Sequence, residues 1–266
     1  MPAYFFHYHF GKLAGESLPE TLRERVRKEE AIFEIGFQGP DILFFYAPVT
    51  GHEIVTFGGK LHHQEGTAFF SDLKKRIESQ PDARQKEKEI LYGAGIVCHF
   101  ALDAACHPLI EEFIKESGIS HHEIEKEMDK YLFRKQGKDP FSDDIMEDFR
   151  PQNENLPAIA HIYGLKEKEA AKCIKKYGRY GRMFFTTSEW IRKPVFAAMR
   201  LLHIYRKTRG FFANQADNPA CAPFNIKMEK VFMETLPMAV SMVEGYFRWI
   251  EDATPLPDSF RRTFSV

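Results

Sequence analysis

The chain has 266 residues and a formal net charge of −1, with 28% charged and 44% apolar residues. That length supplies ample core for one large domain or two small ones, and the near-neutral balance provides no global field to draw the chain to nucleic acid or an anionic membrane. No apolar run approaches the ~20 residues needed to span a bilayer. The start, Met1-Pro2-Ala3-Tyr4-Phe5-Phe6-His7, lacks the basic and clean apolar regions of a secretory signal, so the sequence reads as cytoplasmic.

In chain order, Leu18 to Phe37 has the pattern of an amphipathic helix with a basic outer face. Gly36 to Pro40 breaks it, and Asp41 to Tyr46 starts a short apolar helix. Three glycines between Gly51 and Lys60 suggest a loop, followed by a helix over Thr67–Ser79 and a turn at Gln80-Pro81-Asp82-Ala83. Arg84–His107 is the longest clear helix of the first half, with Pro108 expected to end or kink it because proline removes an amide donor. Ser120 is a plausible N-cap for a helix to about Phe133, with Glu123 at the capping-box position. The polar stretch Lys135–Asn155 is the best internal linker. Further helices are expected near Leu156–Tyr163, Glu167–Tyr177, Ser188–Lys207 and Ile226–Asp252. Without an alternating strand series or repeat, the fold class is all-α, a multi-helix bundle. All recognisable chemistry falls within 1–135, and 156–266 is read as helices completing the same core, which makes 1–266 one domain.

The chemistry is concentrated in His99-x-x-x-Asp103-x-x-x-His107 and His121-x-x-x-Glu125. Steps of four put neighbouring side chains on one helix face, so His99 and Asp103 can share an ion. His99 and His107 are ~12 Å apart along an unbroken helix axis, too far for one ion with bonds near ~2 Å. His107 therefore serves a second ion with His121 and Glu125, or the helix distorts before Pro108. A lone His-x-x-x-Asp is more often a side-chain pair than a metal site; two such sets in adjoining helices favour metal. Asp41, after Gly39-Pro40, reads either as a turn residue or as a carboxylate aimed into a pocket. His62 and His63 are adjacent and point different ways, so one of them binds. His7 alone would be an ordinary N-terminal histidine, and His52, His161 and His203 are read as structural. Cys98 and Cys106 adjoin candidate ligands, but with no C-x-x-C the four cysteines are read as buried thiols. Imidazole and carboxylate ligands suit zinc, and clustered ions suit phosphate-ester hydrolysis.

On His7-x-x-Phe10-Gly11, Gly39-Pro40-Asp41, Gly59-Lys-Leu-His62-His63, His99-Phe-Ala-Leu-Asp103-Ala-Ala-Cys-His107-Pro and His121-His-Glu-Ile-Glu125, the chain resembles the zinc-dependent phospholipase C family. That helical fold is shared by bacterial phosphatidylcholine-hydrolysing enzymes and the catalytic domain of clostridial alpha-toxin, and more distantly by the fungal single-strand nucleases. The resemblance covers roughly the first half of the chain. It implies one zinc at His62 (or His63), His99 and Asp103, with Asp41 beside it as ligand or general base. A second zinc would take His107, His121 and Glu125, and a third would join His7 to a bridging Asp103. The secreted enzymes use a mature N-terminal tryptophan at the third zinc, where this chain begins Met1-Pro2-Ala3. They also place two more residues between the aspartate and the next histidine.

The leading expectation is a zinc-dependent phosphodiesterase of phospholipase C type acting on a phospholipid or related phosphodiester. Phe44, Phe45, Tyr46, Phe69 and Phe70 are candidates for an apolar or cation–π pocket, or simply for core. A nuclease or nucleotide phosphatase is the alternative, for which the mixed basic and aromatic stretch Lys172–Arg182 would grip a phosphate backbone. A metal-stabilised helical binding module is the non-enzymatic reading. No stable nucleic-acid partner is expected.

Overall fold

The computed structural model describes residues 3–252 and 254–264. Among them the regular structure is helical: α1 (Tyr4–Glu16), α2 (Glu20–Lys28), α3 (Glu30–Gly36), a 3-10 helix (Gly39–Phe45), α4 (Glu53–His63), α5 (Gly66–Ser79), α6 (Ala83–Ser117), α7 (His121–Lys135), α8 (Leu156–Tyr163), α9 (Glu167–Phe184), α10 (Glu189–Leu201), the short α11 (Tyr205–Thr208) and α12 (Ala222–Glu251). The all-α bundle is as expected. The sole strand-like pairing among the described residues is an antiparallel bridge between Glu65 and Thr263.

The bundle is organised around α6, which packs against α1, α3, α5, α8 and α12. Its central turns, Ile90 to Asp103, are buried without interruption, because neighbours cover it on every side rather than on one stripe. By length and composition α6 could cross a membrane, contrary to the expectation that no apolar run comes close; 89% of its most apolar window is buried within the protein itself. Two glycines allow α3 to lie directly on α6. A Cβ on Gly36 would fall 2.5 Å from the Tyr92 carbonyl oxygen, and one on Gly95 2.2 Å from that of Phe33. On another face the Tyr246 hydroxyl of α12 donates to the Ile90 carbonyl at 3.1 Å.

Several boundaries differ from the expectation. The helix anticipated over Leu18–Phe37 is broken at Glu29, whose φ of −133° and ψ of 44° leave the helical region. The glycine-rich segment expected as a loop forms α4, because Gly58 faces Leu43 and Phe44 and its lack of a side chain serves packing. Pro108 does not end α6. The helix runs on to Ser117 and stops at Gly118, whose φ of +69° is a left-handed C-cap. The stretch expected as a linker is packed: Ile145, Met146 and Asn155 are buried, and the Lys88 ammonium of α6 donates to Asn155 Oδ1 at 2.8 Å.

Candidate metal centre

Four elements converge on the middle of α6. His99, Asp103 and His107 share its inward face; α1 brings His7, the 3-10 helix brings Asp41, α4 brings His62, and α7 brings His121 and Glu125. Each placement has a local cause. No side chain of α1 itself caps its N-terminus, and the buried Asp129 does so from α7, its Oδ1 accepting the Phe6 N–H at 3.0 Å. Gly39, with φ of +48°, starts the 3-10 turn, and Pro40 suits its first turn, where no amide donor is needed. Ser120 caps α7 by accepting the Glu123 N–H and so sets the phase of His121 and Glu125.

The side chains fall into two groups. In the first, donor atoms of Asp41, His62, His99 and Asp103, all buried, lie within 4.8 Å of one another. In the second, those of His107, His121 and Glu125 do the same. His62 Nε2 is 2.7 Å from Asp41 Oδ1, and His99 Nε2 is 3.1 Å from Asp103 Oδ2 and 3.6 Å from Asp41 Oδ2. His7 belongs to neither group of mutually close donors, but its Nε2 is 3.2 Å from the other Asp103 oxygen, Oδ1. Asp103 thus faces His99 with one oxygen and His7 with the other, and His107 lies 3.9 Å from it. In the second group His121 Nε2 is 3.0 Å from Glu125 Oε1, and the rings of His107 and His121 are 5.4 Å apart. The short Asp103–His107 step still delivers His107 beside His121. His62 is buried and His63 exposed, which separates the two adjacent histidines. The N-terminal residues Met1 and Pro2, where a third-ion partner would be sought, lie outside the described residues.

The donor set of imidazole nitrogens and carboxylate oxygens fits a borderline divalent cation such as zinc. His62 Nδ1 lies 2.7 Å from the Gly58 carbonyl and His99 Nδ1 3.1 Å from that of Phe37, while His107 Nδ1 bonds the Phe264 carbonyl. Donation from each Nδ1–H fixes the tautomer whose Nε2 carries a lone pair. His99 Nε2 and Asp103 Oδ2 are buried and close, yet neither has a hydrogen-bond partner among the described residues, as expected of two lone-pair atoms turned toward one point. Burial alone would raise the Asp103 carboxyl, but His99, His107 and His7 around it hold it well below the usual range. Asp41 is held below its usual value because the adjacent His62 outweighs the burial that would raise it. Both carboxylates are therefore ionised, as metal binding requires.

Access runs through a cleft of about 430 Å³ lined by Asp103, Ala104, His107, Pro108, Arg262, Thr263 and Phe264. The C-terminal segment forms its rim: the Gly66 N–H donates to the Arg262 carbonyl at 2.6 Å, and the Phe264 ring stands 5.6 Å from that of His62 and 5.8 Å from that of His99.

A family model described as zinc dependent phospholipase C matches residues 6–177, more than half of the chain. The chain belongs to the zinc-dependent phospholipase C family. All eight candidate ligands fall inside the matched span, and membership carries zinc-dependent hydrolase chemistry in coarse terms. No curated protein and no solved structure matches the chain.

Around this family core, other expected features take different roles. Lys172–Arg182 packs against the Asp41 turn: the Tyr177 hydroxyl donates to Gln38, Lys176 donates to the Tyr46 carbonyl at 3.0 Å, and Lys172 lies 3.8 Å from the centre of the Tyr46 ring. Phe45, Phe69 and Phe70 are core, whereas Phe44 is half-buried, 5.0 Å from the His62 ring. The four cysteines are buried and free, with burial pushing the Cys98 thiol up to about 12. His52 caps α4, and His161 pairs with Glu89 at 2.9 Å. Sequence reasoning missed the orienting carbonyls of Phe37, Gly58 and Phe264, which carry no side-chain signal, and the rim residue Arg262, which lies 155 positions beyond His107 in a region without a motif.

Proposed function

We propose that the protein hydrolyses a phosphodiester, with a phospholipid head-group ester as the substrate class, using zinc held by Asp103, His62 and His99 in one group and His107, His121 and Glu125 in the other. The single observation that carries this reading is the placement of the two donor groups side by side, with Asp103 of the first and His107 of the second both lining an open cleft. When bound, zinc supplies Lewis-acid polarisation of the phosphoryl group and lowers the pKa of water.

The chain's own residues account for the rest. Asp41, ionised through its contact with His62, is the group that accepts the proton of the attacking water. Asp103 holds His99 and His7 in fixed orientation through its two oxygens. Arg262, on the cleft rim and paired with no carboxylate among the described residues, presents a guanidinium whose planar fork matches two phosphoryl oxygens. The water oxygen bonds to phosphorus as the P–O bond to the diacylglycerol-type alcohol breaks; the departing alcohol takes up the proton held by Asp41, and the phosphomonoester remains.

The test is turnover of a chromogenic phosphodiester, phosphatidylcholine and single-stranded DNA by zinc-loaded protein and by Asp41→Asn and Asp103→Asn variants. The reading expects hydrolysis of the first two. Asp103→Asn should lose metal and activity together, and Asp41→Asn should lower kcat by about a hundredfold or more. Activity confined to DNA would favour the nuclease alternative, and full zinc content with no turnover on any substrate would favour a binding module.

A further inference from the structure

The helix α10 lies outside the span matched by the family and carries apolar side chains on its solvent face as well as on the face that packs against the core. None of its residues is buried. Trp190 is 92% exposed and Leu201 79% exposed, and Leu202, just past the helix end, is 65% exposed. Trp190, Pro194, Ala197 and Leu201 are all exposed and follow one another by four, three and four residues, the spacing of a single helical face. That face is apolar and points to solvent. The opposite face is the one that docks: Phe196 packs edge-on against Phe212 at 5.1 Å, and Arg192 donates to the carbonyls of Thr186 and Ala213 at 3.0 and 3.2 Å.

Charge says what the outward face fits. From Ser188 to Ala213 the chain carries six Lys and Arg residues against one acid, Glu189, in a protein whose overall charge is −1. Lys193, Arg200, Arg206 and Lys207 are exposed beside the apolar stripe. A helix with Trp and Leu on one face and Lys and Arg at its flanks lies in the plane of a membrane interface, its apolar side among acyl chains and its cations among anionic head groups. A second copy of this chain would have to bring the same cations against themselves. The surface also adjoins the candidate centre: Phe211, next to Phe212, stands 4.0 Å ring to ring from His122, the neighbour of the candidate ligand His121.

We infer that α10 is a membrane-docking helix that seats the protein on an anionic phospholipid surface through Trp190, Leu201 and Leu202 with Lys193, Arg200, Arg206 and Lys207 around them. This goes beyond the proposed hydrolysis, and it is tested without turnover, so an inactive enzyme leaves it measurable and a failure to dock leaves the hydrolytic reading standing. Purified protein is sedimented with vesicles of phosphatidylcholine, alone or mixed with phosphatidylglycerol, while tryptophan emission is followed. Trp190 and Trp249 are the two tryptophans, and Trp249 is buried, so a blue shift on binding reports Trp190. The expected result is binding to the mixed vesicles with a blue shift. Trp190→Ser with Leu201→Ser should weaken it about tenfold or more, and Arg206→Ala with Lys207→Ala should weaken it about fivefold per charge in a salt-sensitive way. Because these side chains are exposed, unchanged thermal melts of the variants provide the folding control. The inference is overturned if the wild type neither pellets with mixed vesicles nor shifts its emission, if the Trp190→Ser, Leu201→Ser variant binds like the wild type, or if the stripe instead mediates a concentration-dependent dimer that this variant abolishes.

Discussion

A Cβ on Gly39 would lie 2.4 Å from Cδ2 of His99, so the turn that carries Asp41 rests directly on the imidazole it faces. Gly39 also has a φ of +48°, a conformation that side chains other than glycine adopt at a cost. Gly39→Ala is therefore strained twice, and a loss of about 1–3 kcal/mol is expected. The collision falls on His99 rather than on α7, so zinc bound through His62, His99 and Asp103 should weaken while that at His107, His121 and Glu125 is retained. Metal content per chain and a denaturant melt measure both effects. Full zinc content with an unchanged midpoint would mean that His99 has room the structure does not give it.

Stripping the metal should change the pH dependence of stability in a definite direction. Burial pushes His62 down, but the Asp41 carboxylate beside it outweighs that and leaves it above its ordinary value; Glu125 does the same for His121. A raised folded-state pKa contributes stability that is complete below the unfolded imidazole value near ~6.5 and is lost as pH rises through the folded value. Asp41 and Asp103 are lowered, so their contribution is present above about 4 and lost on further acidification. Chelated protein should accordingly be more stable at about pH 6 than at about pH 8. Zinc-loaded protein should hold its stability at the higher pH and release metal on acidification, as protons compete for the imidazoles. Urea melts at the two pH values, with and without chelator, decide the matter; greater stability of the chelated protein at the higher pH would contradict the assignment.

The bundle and the candidate centre were legible to different depths, for physical reasons. Four-residue spacing on a helix is a geometric constraint, so His99, Asp103 and His107, and likewise His121 and Glu125, could be divided between two groups before any coordinates. The division matches the two donor groups found. Helix ends were less legible. Gly58 looked like a loop signal but is there to admit Leu43 and Phe44 against α4, and Pro108 looked like a stop, yet α6 continues through it. Propensity describes an isolated segment, and tertiary packing overrides it. The rim of the centre was illegible, because the Phe264 carbonyl reaches His107 across 157 positions of sequence through its backbone.

Phe264 gives that rim a measurable role. Its side chain is fully buried, with ring centres 5.1 Å from Phe69 and 4.8 Å from Phe100, while its other side covers His62 and His99. Phe264→Ala should cost about 3–5 kcal/mol through the cavity it leaves. It should also open the first donor group to solvent, so zinc is surrendered to a chelator faster than from the wild type. Phe264→Leu, which keeps most of the volume, should recover most of the stability. Chelator-exchange kinetics alongside denaturant melts test this, and identical exchange rates in Phe264→Ala and wild type would show that the ring does not guard the metal.

Asp129 is the remaining device, and it acts at a distance from the cleft. Its Oδ1 accepts the Phe6 N–H at 3.0 Å and its Oδ2 lies 3.4 Å from the Lys126 ammonium, in a fully buried position. Replacing it with alanine removes the cap of α1 and takes the acceptor from the buried Phe6 N–H, a loss of about 1–3 kcal/mol. His7 follows Phe6 directly and reaches Asp103 from the first turns of α1, so loosening that end should weaken an ion that depends on His7 more than one held by His107, His121 and Glu125. Asp129→Asn keeps an acceptor for the Phe6 N–H and should restore much of the metal affinity even where stability stays reduced. Zinc titrations of Asp129→Ala, Asp129→Asn and His7→Ala separate the cases. If Asp129→Ala binds zinc as the wild type does while His7→Ala does not, the cap serves the fold alone and His7 is positioned by other contacts.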